Sequence, residues 1–244
     1  MTSPTENAIK TLEAIADRFF RITLRSQPKS STSHDAKSIT RLVETNCLAV
    51  LEPKSAKAVR FVERCRLFLS YDMKGMERSQ VEAIVNELFS HLDGLFFFGL
   101  LGRQVSVFGG ETRPLVKVEF LTKVDPNNAG SFNKFRGAIS ICLVSPTGLV
   151  PVSDLLFIFI HEMVHAWLEI FSDANHPEHY QWVKVYHRHG EMFRRLFRFV
   201  AERVGALVPS DLLQGRILVW LNKLDWQVRR NSGWWDCFVS AVTL

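Results

Sequence analysis

Two histidines stand four residues apart in a stretch that is otherwise almost wholly apolar. FIFIHEMVHAWLEIF, Phe157 to Phe171, carries His161, Glu162 and His165 at its middle. Taking imidazoles and a carboxylate out of water is costly unless a partner compensates them. On a helix, residues i and i+4 share a face, so both rings can grip one metal ion. Glu162 then lies beside a water on that ion and can take its proton. A catalytic zinc site uses three protein ligands and keeps a fourth position for water, so a third ligand is expected downstream.

Five residues compete for that place. His176, His179 and His187 fall in DANHPEHYQWVKVYH, which reads as surface loop, and solvated side chains are expected for all three. Glu191 is a candidate as a thermolysin-like carboxylate, and His189 stands just before the next helical pattern. A metzincin continuation is excluded, because Leu168 and Phe171 occupy the positions where that class needs glycine and histidine. Spacing alone leaves the choice between His189 and Glu191 open.

The elements that must position these residues follow from periodicity. A helix is expected to start at Ser153 or Asp154, either of which can cap it, and to run to Phe171. It is apolar on every side and should therefore be central. Its longest oily run is broken by His161, Glu162 and His165, so it is not read as a membrane span. Upstream, Val116, Val118 and Phe120 alternate with charged residues as a strand would, and Ala138–Val144 is a second strand, expected to offer an exposed edge to an extended substrate. NNAGSFNKFRG between them reads as a turn-rich loop. Downstream, GEMFRRLFRFVAERVGALV is an amphipathic helix in which Phe193 can anchor His189, and Gly190 allows a close approach to the active-site helix.

The first third is helical: Ala8–Arg25, Ser38–Val50, Ser55–Tyr71 and a pattern led by Ser79. A Ser/Pro/Lys-rich linker is placed near 26–37. Boundaries are drawn at 1–78 for a helical N-terminal extension, 79–206 for the domain holding the motif, and 207–244 for a helical and aromatic tail. Cys47, Cys65, Cys142 and Cys237 form no CxxC pair, so they are expected to be buried small hydrophobes. No signal peptide is apparent in the opening residues, and an intracellular, non-secreted protein is expected. Net charge is +5, which permits an acidic partner. Candidates for DNA contact are Arg188, Arg194, Arg195, Arg198, Arg203, Lys223, Arg229 and Arg230, with Trp226, Trp234 and Trp235 near the last of them. Tyr180, Tyr186 or an arginine is the candidate oxyanion stabiliser.

HEMVHAW followed by HGEMF resembles the SprT-like, or Spartan-type, zinc metalloprotease domain, whose pattern is HExxHA and then HGxxF. LFSHLDGLFFFGLLGRQVSVFGG and FRGAISICLVSP resemble the same family's segments ahead of its active-site helix, and the similarity covers about Val81 to Phe199. The resemblance implies an α+β, zincin-like fold with a small β-sheet packed on a central HExxH helix. It implies Zn2+ held by His161, His165 and His189, with Glu162 as general base. It further implies an endopeptidase acting on protein substrates, with proteins crosslinked to DNA as a substrate class, DNA as a partner and the nucleus as location. The alternative is a catalytically silent, zinc-stabilised binding module of the same fold; the presence of Glu162 favours the enzyme, since a structural site has no use for that base.

Overall fold

The computed structural model describes residues 4–22, 34–50, 55–71, 76–107, 111–121, 129–145, 148–185 and 189–229. Its architecture is α+β and is organised around one helix. That helix, α5, spans Val152–Phe171, and every residue from Ser153 to Phe171 is buried. A helix apolar on all sides has to be covered on all sides. Four helices precede it: α1 (Pro4–Ile22), α2 (Ala36–Val50), α3 (Ala56–Ser70) and α4 (Arg78–Phe96). Two follow it, α6 (Glu191–Leu207) and α7 (Asp211–Arg229). Of these α1, α2, α3, α6 and α7 all pack on α5. The helical N-terminal residues thus share one continuous apolar core with the helix that carries the motif.

The remaining cover is a three-stranded sheet in the order β3-β5-β4, made by β3 (Lys117–Leu121), β4 (Gly130–Asn133) and β5 (Ala138–Cys142). β5 runs parallel to β3, with Val118 opposite Ile139, and antiparallel to β4, with Phe132 also opposite Ile139. β5 is therefore the central strand and buried throughout. This corrects two expectations. Ala138–Val144 offers no free edge, and part of the turn-rich loop, Gly130–Asn133, is itself the edge strand. Four residues reading Gly-Ser-Phe-Asn are too few and too polar for alternation to announce a strand; hydrogen bonding to β5 makes it one. Two short hairpins complete the β structure: β1 (Gln104–Ser106) with β2 (Thr112–Pro114), and β6 (Val144–Ser145) with β7 (Gly148–Leu149).

Helix starts show where local chemistry decided. Asp35 caps α2, accepting from the Ser38 amide at 2.7 Å and the Ser38 hydroxyl at 2.9 Å. His34 bridges to Ser172 at the end of α5, with the Asp173 amide donating to the His34 carbonyl at 2.9 Å. Residues 34–37 are thus structured, and only 26–33 of the expected linker remain, outside the described residues. α5 begins at Val152 with Pro151 as its flanking residue and no side-chain cap, not at a capping Ser153 or Asp154. Pro151 supplies the carbonyl for the first helical turn, accepting from Asp154 and Leu155. Ser153 and Asp154 are both buried. Cys47, Cys65 and Cys142 are free and buried as expected, and burial pushes the Cys47 and Cys65 thiols up to about 12. Cys237 lies outside the described residues. Among the described residues no helix is long and apolar enough to cross a membrane.

The turn that carries the chain from α4 towards the first hairpin is organised by one buried carboxylate. Asp93 accepts from the Leu101 amide at 3.1 Å and the Gly102 amide at 2.7 Å, while its own carbonyl takes the Phe97 and Gly99 amides. Gly99 sits at φ +73° and Phe98 at +61°, the left-handed region that glycine occupies freely. Phe98 is held there against Trp167 of α5, ring centroids 6.0 Å apart. Burial pushes the Asp93 carboxyl up to about 7 against the pull of the two amide donors. Replacing Asp93 by Ala leaves two amides without their acceptor, and the expected loss is about 2–3 kcal/mol. Urea unfolding of Asp93→Ala beside the parent chain measures it; an unchanged midpoint would show that the turn is held by something else.

Candidate metal centre

The helical repeat of α5 places His161, His165 and Glu169 on one stripe at i, i+4 and i+8. His189 reaches this stripe from another direction. A π-helical turn at Tyr180–Lys184 brings the chain back, and the Gly190 amide donates to the Val183 carbonyl at 3.3 Å. A side chain at Gly190 would run into the Trp182 carbonyl, and its Cβ would fall 2.6 Å from the Val183 nitrogen. A close approach at Gly190 is therefore real, and the nearest atoms belong to this turn. It sets His189 immediately ahead of α6.

The three Nε2 atoms form a nearly equilateral triangle. His161 to His165 and His165 to His189 are each 3.2 Å, and His189 to His161 is 3.0 Å. All three residues are buried, between 4% and 8% exposed. Each imidazole nitrogen has a single in-plane direction for a proton or a lone pair, so three of them converging on one point cannot satisfy one another fully by hydrogen bonding. A cation at the common point resolves the conflict. In a tetrahedral site with bonds of about 2.0–2.1 Å, ligand nitrogens stand roughly 3.3–3.4 Å apart. The observed separations are within a few tenths of an ångström of that, so the donor set fits a metal ion. His161 is pushed well below its ordinary value, first by burial and then by the neighbouring His189, which keeps its ring neutral and able to donate a lone pair.

Aromatic packing fixes the rings. Phe193, wholly buried on the first turn of α6, stacks on His165 at 4.3 Å between centroids and meets His189 at 4.6 Å and His161 at 4.9 Å edge to face. Phe197 and Trp220 back His161 at 5.8 and 6.1 Å. Glu162 is buried beside the triangle, with Oε1 3.9 Å from His161 Nε2. On its other side lies β4. A Cβ at Gly130 would fall 3.1 Å from Glu162 Cγ and 3.3 Å from Oε1, so only a residue without a side chain lets the strand lie this close to the carboxylate.

The other candidates are placed elsewhere. Glu191 opens α6 on its exposed side. His176 stacks on Trp182 in the loop after α5, centroids 4.9 Å apart. His179 is buried, contrary to the expectation of a solvated ring. Its Nδ1 lies 3.3 Å from the Ser172 hydroxyl, and burial with the charges of Lys184 and Lys134 pushes it down to about 4. The loop reading failed because the π-turn folds His179 back onto the end of α5. His187, Tyr186 and Arg188 lie outside the described residues, and Tyr180 is exposed. On α6, Arg195 is engaged by Glu44 of α2, Nε to Oε1 2.6 Å, and Arg203 lies over Phe199 at 5.5 Å. Arg194 is half-buried and Arg198 exposed. Lys223, Trp226 and Arg229 belong to α7; Arg230, Trp234 and Trp235 lie outside the described residues. Sequence reasoning missed Gly130, Trp220 and Glu169. Only Glu169 left a signal, as the next polar residue on the histidine stripe.

Comparison of the chain with family models, curated proteins and solved structures finds no match. The site therefore rests on its own geometry. His189→Ala is expected to weaken metal binding more than roughly a hundredfold, as does His161→Ala, since losing a ligand costs more than losing a supporting contact. His176→Ala and Glu191→Ala are expected to retain the metal. Metal content by mass spectrometry of the four purified variants decides between them; retention in His189→Ala together with loss in Glu191→Ala would replace one ligand by the other.

Proposed function

We propose that this protein is a zinc-dependent endopeptidase of the SprT-like type. The observation that carries the reading is the triangle of His161, His165 and His189 with the buried Glu162 carboxylate 3.9 Å from one of its nitrogens. The paired motifs HExxHA and HGxxF support the same family. His161, His165 and His189 would hold zinc, which when bound would acidify water and polarise a carbonyl. The chain's own residues do the rest. Glu162 Oε1 accepts the proton released as water attacks the scissile carbonyl, and it delivers that proton to the departing amine nitrogen. The apolar surroundings of α5 exclude bulk water from the exchange.

Substrate placement falls to β4. One side of this strand pairs with β5, and among the described residues no strand pairs with the other. An extended peptide can add there through main-chain hydrogen bonds. Gly130, at the start of β4, lies against Glu162, which supports a peptide added to that strand passing near the carboxylate.

Glu162→Gln is expected to keep the metal and lower peptide cleavage by roughly 10²–10⁴-fold, since the amide preserves shape but takes no proton. Undiminished cleavage by the pure variant would sink this mechanism. Retained metal with no cleavage by the parent chain would instead favour the zinc-stabilised binding module.

Association with DNA, proteolysis of DNA-crosslinked proteins and a nuclear address belong to the same proposal and rest on the family resemblance and the net charge of +5. Arg194, Arg195 and Arg198 are the candidate contacts on α6, of which Arg195 also contacts Glu44. Single-stranded DNA is expected to bind less tightly as salt rises, and Arg194→Ala or Arg198→Ala to lower the log-log slope by about 1 each. Absence of binding at low salt would remove DNA from the reading.

A further inference from the structure

The stripe that carries the histidines does not end at His165. One turn further on stands Glu169, buried to 8% exposure, at the floor of an open cleft of about 290 Å³. Phe132 and Asn133 of β4, Lys134 and Phe135 of the following turn, and Lys184 of the π-turn line the rest of the cleft. Phe132 is buried, whereas Phe135 is 84% exposed. No part of the proposed proton transfer uses these residues.

The cleft and the proposed reaction centre share two elements, β4 and α5. β4 passes Glu162 at Gly130 and reaches the cleft at Phe132 and Asn133. α5 covers the same interval from Glu162 to Glu169, about 10 Å at 1.5 Å per residue. A peptide extended along β4 advances about 3.3 Å per residue. The side chain that arrives over the cleft is therefore roughly two or three residues from the bond being cut.

Its charge selects the occupant. Two ammonium groups and one carboxylate line the cleft, and the carboxylate is the deep one. Lys134 and Lys184 come from different segments yet act on the same region, since the charge of each helps depress the buried His179. A basic side chain meets the charge of both lysines as well as that of Glu169. An acidic one meets a net positive lip and lays its methylenes on Phe132 and Phe135.

We infer that this cleft is a specificity subsite that takes an acidic side chain of the substrate, Asp or Glu, two or three residues from the scissile bond. The inference rests on the peptidase reading above. Lys134 and Lys184 are its specificity-determining residues, and Phe135 is its apolar flank.

Zinc-loaded protein acting on a randomised peptide library, with products read by mass spectrometry, tests it. Asp and Glu are expected to be enriched roughly fivefold over Lys and Arg at one such position, the scale of a partly exposed charge pair. In Lys134→Glu/Lys184→Glu that preference is expected to invert. Lys184 is exposed and Lys134 half-buried, so the double variant is expected to fold, and its circular dichroism checks this. Lys10→Glu/Lys57→Glu changes net charge equally on helices that contribute nothing to the cleft, and is expected to leave the acidic preference in place. Cleavage with no side-chain preference at that position, a basic preference in the parent chain, or equal loss in both double variants overturns the subsite while leaving the peptidase reading intact. No cleavage of any peptide by zinc-loaded parent protein overturns the peptidase reading, and the subsite with it.

Discussion

Three imidazole nitrogens held 3.0–3.2 Å apart inside an apolar core are the constraint to which much of the surrounding structure answers. A cation at their common point would take up lone pairs that converge on it from three rings. Packing has to hold the rings in place, and it does so with unusually large apolar groups. Phe193 touches all three rings, and Phe197 and Trp220 close behind His161. A metal centre built this way is preorganised: the ligands do not need to be gathered when the ion arrives.

The same demand explains the length and cover of α5. Asp154 in its first turn is buried and meets Arg216 at 3.5 Å, the apolar run Leu155 to Ile160 follows, and His161, Glu162 and His165 come only after that run is embedded. Helices from both ends of the chain contribute to that embedding, so the N-terminal residues are part of what keeps the centre dry. The Glu44 to Arg195 contact ties α2 to α6, the helix on which Phe193 and, through Gly190, His189 depend. The two ion pairs from Arg103 to Glu13 and Asp17, each at 3.1 Å, tie α1 to the first hairpin. These pairs are partly exposed and individually weak, but each joins segments far apart in sequence.

Openness is confined to one side. β5 is sealed between its neighbours, and the face of the sheet towards α5 is filled, but β4 keeps an edge beside Glu162. A glycine at 130 is what makes the contact possible, since any Cβ would press on Ile158 and Glu162. The proposed chemistry, the proposed strand addition and the cleft at Glu169 all lie along that one edge.

Much of the site is legible in the order of the amino acids alone. The i, i+4 pairing of His161 and His165 follows from helical geometry, and Glu162 falls beside them for the same reason. The centrality of α5 follows from its composition, because an all-apolar helix has no face to offer to water. The amphipathic helices are legible too, since a 3.6-residue period survives any tertiary arrangement. What stays hidden depends on contacts between distant segments. Residue spacing does not choose between His189 and Glu191; the return of the chain through the π-turn and the seating of Gly190 against Trp182 bring His189 to the α5 stripe and leave Glu191 outside it. Four residues with a single apolar side chain, Phe132, become an edge strand because β5 is there to pair with them, and His179 is buried because the turn folds it onto α5. Local periodicity is written into the chain residue by residue, whereas strand pairing, burial of a loop histidine and the place of a third ligand exist only once remote segments are packed together.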